Sequence, residues 1–164
     1  MPNSNVSAIW GDLVTDVRTS TEGPTHTIGT YREEDGKGYR YVSSEGGTGA
    51  VATVAGYLAY FTGTTYDVTM DVSDSDRNLV AGVYLSVIAD EGYGWIQTFG
   101  PHSAVKTNAD DDIAKGDAII ASAAGDGTAD STAQDTAPIC RVVGWALADD
   151  VNADDTVATF LCLE

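Results

Sequence analysis

The chain has 164 residues, 43% hydrophobic and 20% charged, which is enough to build one domain core without disulfides or metal and too apolar for a disordered chain. Only 8 Lys and Arg stand against 25 Asp and Glu, and the formal net charge of −17 repels phosphate backbones and anionic membranes, so neither nucleic acid nor membrane is an expected partner. The acidity is read as keeping copies soluble and dispersed at high density.

The first residues, MPNSNVSAIW, have neither the basic start nor the long apolar stretch of a secretion signal. The longest apolar runs, 51–61 and 79–89, fall short of the ~20 apolar residues that span a bilayer. A soluble protein made in the cytoplasm is expected, and the sequon Asn5-Val6-Ser7 then has no consequence. Val6, Ile9, Trp10, Leu13, Val14 and Val17 recur at helical spacing behind a cap at Ser4 or Asn5, so residues 1–17 read as a partly helical arm that Gly11 weakens. The polar stretch 18–27, RTSTEGPTHT, reads as a linker. The expected organisation is therefore an arm and linker over 1–27 and a single β domain over 28–164. The arm buries Ile9 and Trp10 on its own domain or docks them on another molecule. In the second case Val6, Ile9, Trp10 and Leu13 are the contact residues, since aromatic anchors are enriched in interface cores.

From residue 28 onward a period of two dominates. Strands are predicted over 28–33 and 39–43, with Asp35-Gly36 between them as a tight hairpin turn. Further strands are predicted over 51–61, 65–72, 79–89, 93–99, 117–122, 139–147 and 156–163. Strand 65–72 is the clearest: Tyr66, Val68, Met70 and Val72 alternate with Thr65, Asp67, Thr69 and Asp71. In 79–89 the face opposite Leu79, Ala81, Val83, Leu85, Val87 and Ala89 is partly apolar too, and Val80, Tyr84 and Ile88 must be covered by another sheet or by a neighbouring subunit. These three are the candidate subunit-contact residues. Acidic 107–117 and the Ala, Gly, Thr and Ser-rich 125–135 read as loops. Many short strands with turns between them indicate an all-β sandwich or barrel.

Catalytic chemistry finds no footing in this pattern. His26 falls in the linker and His102 in a turn after Pro101, both expected as ordinary exposed histidines, and no G-x-S-x-G nucleophile motif occurs. Cys140 and Cys162 fall in predicted strands and read as reduced core residues, with a bridge between them as the alternative. The two histidines and two cysteines lack the paired spacing of a zinc site. Asp67, Asp71, Asp74 and Asp76, and likewise Asp110–Asp112, lack an EF-hand loop and read as solvated faces and turns, so neither metal nor cofactor is expected. Gly47-Thr48-Gly49-Ala50-Val51-Ala52 fits the dinucleotide fingerprint G-x-G-x-x-A, with Asp67 downstream, but the Val, Tyr and Phe content that follows favours strand over the helix the fingerprint requires.

One set of segments carries a likeness: GKGYRYV (36–42), DVSDSDRNLVAGV (71–83), YGWIQTFG (93–100), IAKGDAIIAS (113–122), VGWAL (143–147) and VATFLCL (157–163). Together they resemble head decoration and related minor capsid proteins of tailed bacteriophages. The resemblance implies a non-enzymatic, capsid-stabilising virion protein on the outer surface of the head. Its partners would be the major capsid protein and itself, as a homotrimer. Three copies bring 3 × −17 = −51 formal charges together, so the trimer contact has to overcome that repulsion. The alternative is a receptor- or glycan-binding module of a fibre or tail, with Tyr57, Tyr60, Tyr93 and Trp95 as aromatic platforms.

Overall fold

The computed structural model describes residues 11–45, 53–73, 76, 78–108, 112–123, 125–132, 142–150 and 155–163. Among them the fold is all β, with ten strands and no helix. The first five are β1 (Tyr31–Glu34), β2 (Lys37–Ser44), β3 (Leu58–Phe61), β4 (Asp67–Thr69) and β5 (Val80–Tyr84). Then follow β6 (Gly92–Lys106), β7 (Ala118–Ala121), β8 (Ala129–Thr132), β9 (Gly144–Ala146) and β10 (Thr156–Cys162). The expected hairpin is present: Asp35 and Gly36 have φ of 52° and 74°, the left-handed pair a two-residue turn needs, and Glu34 faces Lys37 across it.

Five strands close into a ring. β2 runs parallel to β4, β4 pairs with β3, β3 with β5, β5 with β6, and β6 returns to β2 in a long antiparallel ladder from Gly38↔Phe99 to Ser44↔Gly92. The ring encloses Val42, Ala59, Val68, Met70, Tyr84, Ile88 and Ile96. Closure leaves these strands no free edge between them.

At 15 residues β6 outlasts the ring, and its second half pairs with β10, which leads through β9 and β7 to β8. Ala129 at the start of β8 then meets Thr107, just past the end of β6, so this second sheet also curls back upon itself. It packs Val105, Ile113, Ile119, Val143, Val157 and Leu161 against Leu58, Tyr60, Val80 and Val83 from the outside of the ring. The changeover on β6 is at Gly100, whose φ of 87° and 2.5 Å approach of a built Cβ to the Gly36 carbonyl leave room only for glycine. Beside it the buried Gln97 amide donates to the carbonyls of Phe99, Gly100 and Pro101 at 3.0, 3.3 and 3.2 Å, which satisfies backbone acceptors at the kink.

Several expectations change here. β6 continues seven residues beyond Phe99, and β8 lies inside the stretch expected as a loop. The described part of the arm, residues 11–17, is not helical: Gly11 has φ of 73°, and the Asp16 carboxylate accepts the Leu13 N–H in a turn. Val80, Tyr84 and Ile88 are 0%, 0% and 1% exposed within the single chain, so they are not a subunit contact. The reason is a bulge: Ala59 faces Gly82 while Tyr60 faces Val80, and skipping Ala81 swaps the faces of β5. Val80 and Val83 thereby enter the second core, and Ala81 and Tyr84 point into the ring.

Candidate functional site

Two features along β6 stand out, on opposite faces of the strand because a bulge at Thr98 turns Phe99 away from the side of Trp95. The first is a polar buckle that fastens residues 11–28 across the ring. Tyr39, Tyr41 and Trp95 project outward from β2 and β6, and an aromatic surface of that size has to be covered. Val14 and Ile28 of the N-terminal segment pack on it. Asp12 fixes the cover, its Oδ2 meeting His26 Nε2 at 3.0 Å and accepting the Trp95 indole N–H at 3.4 Å. Arg32, fully buried, donates to the Asp12 carbonyl at 3.0 Å and to Glu34 Oε2 at 2.5 Å, with its guanidinium 5.8 Å from the centre of the Trp95 ring. The His26 ring lies 5.2 and 5.3 Å from the Tyr41 and Trp95 rings. Farther along, Ser86 donates to the Thr15 carbonyl, and Arg18 and Tyr93 exchange two backbone bonds of 2.8 Å. The stretch expected as a free linker is thus a strap held to the barrel at both ends, and His26 is a half-buried part of it.

Arg32 and Asp12 were missed in the sequence because their meaning is a pairing. The one available signal was Arg32 on β1, YREE, a strand with charges on both faces, one of which has to be covered, where an unpaired charge would be costly.

The second feature is an outward aromatic face on the curled sheet. Register puts Trp145 of β9, Phe160 of β10 and Pro101 of β6 side by side, and Cys162 beside Phe99. The Phe99 and Phe160 rings meet edge to face with centroids 5.4 Å apart. Trp145, Phe99 and Leu147 are 49%, 39% and 42% exposed. The outward side of β10, Thr156, Ala158, Phe160 and Cys162, carries no charge, while inward Val157, Thr159 and Leu161 are buried. On a chain of net charge −17, an uncharged aromatic strip over three strands is a surface suited to contact.

The other residues singled out in the sequence fall as follows. Val6, Ile9 and Trp10 lie outside the described residues, as do Cys140 and the Gly47–Ala52 motif; Leu13 is described and is 59% exposed at the base of the arm. Cys162 is a free thiol and exposed, a correction to its expected core position: on β10 it falls on the outward parity. His102 is half-buried in β6, not an exposed turn residue, and burial, with Lys37 nearby, pushes its pKa down to about 4. Asp71 is buried, with Oδ1 accepting from the Ser73 N–H and hydroxyl at 2.7 and 2.6 Å, so this carboxylate closes a turn. Among the described residues no three His, Cys, Asp or Glu side chains come together as metal ligands. Of the four aromatics expected as glycan platforms, Tyr60 and Trp95 are buried and present no surface.

The class that fold and surface define is an acidic all-β protein with an outward aromatic face. No protein family model matches the chain, and no curated protein matches it at significance.

Proposed function

We propose that this chain is a decoration protein of tailed-bacteriophage heads, which binds the outer surface of the major capsid shell as a homotrimer and stabilises it without catalysis. The observation that carries this reading is a convergence. Three of the segments that resemble that family, YGWIQTFG, VATFLCL and VGWAL, are distant in sequence, yet they lie on β6, β10 and β9 as neighbours and supply Phe99, Phe160 and Trp145 to one exposed face. The charge supports it too: a protein displayed in many copies on a crowded shell benefits from mutual repulsion everywhere except at its contact surface. The arm residues Val6, Ile9, Trp10 and Leu13 are proposed as a second contact with the shell.

The test uses heads assembled from the major capsid protein of the same genome. The purified chain should sediment with expanded heads and raise their melting temperature. Trp145→Ser combined with Phe99→Ser should weaken attachment at least tenfold, about 1.4 kcal/mol, with the fold intact because both side chains are exposed. A chain that binds neither expanded nor unexpanded heads overturns the proposal.

A further inference from the structure

The groups that grip the Asp12 carboxylate are held in place by ties of their own. Trp95 of β6 is fixed by the edge of Tyr41, with ring centroids 5.1 Å apart. Arg32 of β1 is held by Glu34 and lies over the Trp95 ring. His26 rests against both Tyr41 and Trp95. The segment that carries it is tied to β2, the Thr25 N–H donating to the Tyr41 hydroxyl at 3.2 Å and the Gly29 N–H to the Tyr41 carbonyl at 2.8 Å. None of these ties involves residues 11–18. A carboxylate only accepts, so His26 Nε2 carries a proton toward Asp12 Oδ2, as Trp95 Nε1 does. Asp12 Oδ1 lies 3.8 Å from Arg32 Nη1. Three donor groups from three separate parts of the chain thus converge on one carboxylate supplied by a fourth. Trp95 and Arg32 are buried, where donors fixed in advance hold an anion at little ordering cost. Two positions beyond Asp12, Val14 packs on the cluster of Tyr39, Tyr41 and Trp95. The occupant therefore presents a carboxylate next to a branched aliphatic group.

We infer that the outer face of the ring carries a binding site for small carboxylates, filled in cis by Asp12. The anion sits among Trp95, His26 and Arg32, and an aliphatic body sits over Tyr39 and Tyr41. Segment 11–18 is a tethered competitor that holds the site at the high effective concentration of a short tether, and a carboxylate ligand enters as the segment lifts. This site lies on the face of β6 opposite Phe99 and does not rest on the capsid reading.

Formate is the probe, because Asp12→Ala removes a group of its size and shape and keeps the Cβ. In Asp12→Ala, formate should shift the Trp95 indole N–H resonance saturably. At about ten times its dissociation constant it should lower the unfolding equilibrium constant in urea about tenfold. Formamide, the neutral isostere, and chloride at the same ionic strength should do neither. The wild-type chain, whose site is filled, should bind formate at least about tenfold more weakly. Adding Trp95→Phe to Asp12→Ala keeps a ring and removes one donor, and should weaken the stabilisation by formate about tenfold in concentration. The inference is overturned if formate neither shifts Trp95 nor stabilises Asp12→Ala, if formamide acts as well as formate, if the wild type binds formate equally, or if Trp95→Phe leaves the response unchanged. No shell is present in these measurements, so their failure leaves the capsid proposal standing, and failure to bind heads leaves this one standing.

Discussion

Removing the Asp12 carboxylate is the sharpest test of the buckle. In Asp12→Ala the Trp95 indole N–H and His26 Nε2 lose their shared acceptor, and buried Arg32 loses a carboxylate oxygen 3.8 Å away while keeping Glu34 and the Asp12 carbonyl. A hydrogen bond to a charged group is worth about 1.5–3 kcal/mol, and the Asp12 side chain is only 15% exposed, so little is returned by water. Because Arg32 is not stranded, the loss should stay below the 3–5 kcal/mol typical of a broken buried pair. About 2 kcal/mol is expected, and it should fall on the strap, whose other ties are few. Amide exchange reads this directly: the Arg18 and Tyr93 N–H groups, each bonded at 2.8 Å, should exchange roughly 30-fold faster in the variant, since 1.4 kcal/mol is tenfold. Asp12→Asn keeps an oxygen acceptor and should recover part of the protection. If those two amides exchange at the wild-type rate in Asp12→Ala, the buckle does not hold the strap and the reasoning is wrong.

Three further outcomes are expected. At Gly144 an added Cβ would collide with the Phe160 carbonyl of the paired strand, so Gly144→Ala should cost about 2–4 kcal/mol in urea unfolding and disturb the β9–β10 ladder; a loss under about 0.5 kcal/mol would mean that β9 moves freely. Folded His102 titrates near 4, below its ordinary 6.5, so the unfolded chain binds more protons between those values. Its contribution is complete above pH 6.5 and declines toward pH 4, by on the order of 2 kcal/mol; His102→Gln should remove that part of the pH slope, and an unchanged slope would refute it. Gly36→Val forces a β-branched residue to φ of 74°, which should cost about 1–2 kcal/mol and loosen β1 selectively, visible as faster exchange of the β1 amides alone.

Local rules made much of the ladder legible. Asp35-Gly36 names its own turn type, and β10 follows from strict alternation in TVATFLC, inward Val157, Thr159 and Leu161 against outward Ala158, Phe160 and Cys162. What failed depends on contacts made at long range. Gly100-Pro101 reads as a strand end, yet Gln97 supplies the donor that lets the backbone continue through it. β8, ADST, has no alternating apolar set because its pairing with β7, not its side chains, makes it a strand. The bulge at Ala81 exchanges two faces that a period of two assigns the other way. The outward face could not be seen either, since Trp145, Phe160 and Phe99 are adjacent only after three strands have found their order.

A single covalent strand, β6, belongs to both halves of the molecule, with its first residues in the closed ring and its last in the curled sheet. Pulling on either half loads the same backbone, and Phe99 is paired in both ladders, with Gly38 on the ring side and Cys162 on the other. Because Leu58, Tyr60, Val80 and Val83 of the ring share one core with Val105, Ile113 and Leu161, the two halves are expected to melt in one transition, and two separate calorimetric peaks would refute this. The sequence separations that bind them, Tyr41 with Trp95 and Phe99 with Cys162, place the chain among slow-folding, high-contact-order topologies, so its resistance to rupture should be set by one barrier shared between the two halves.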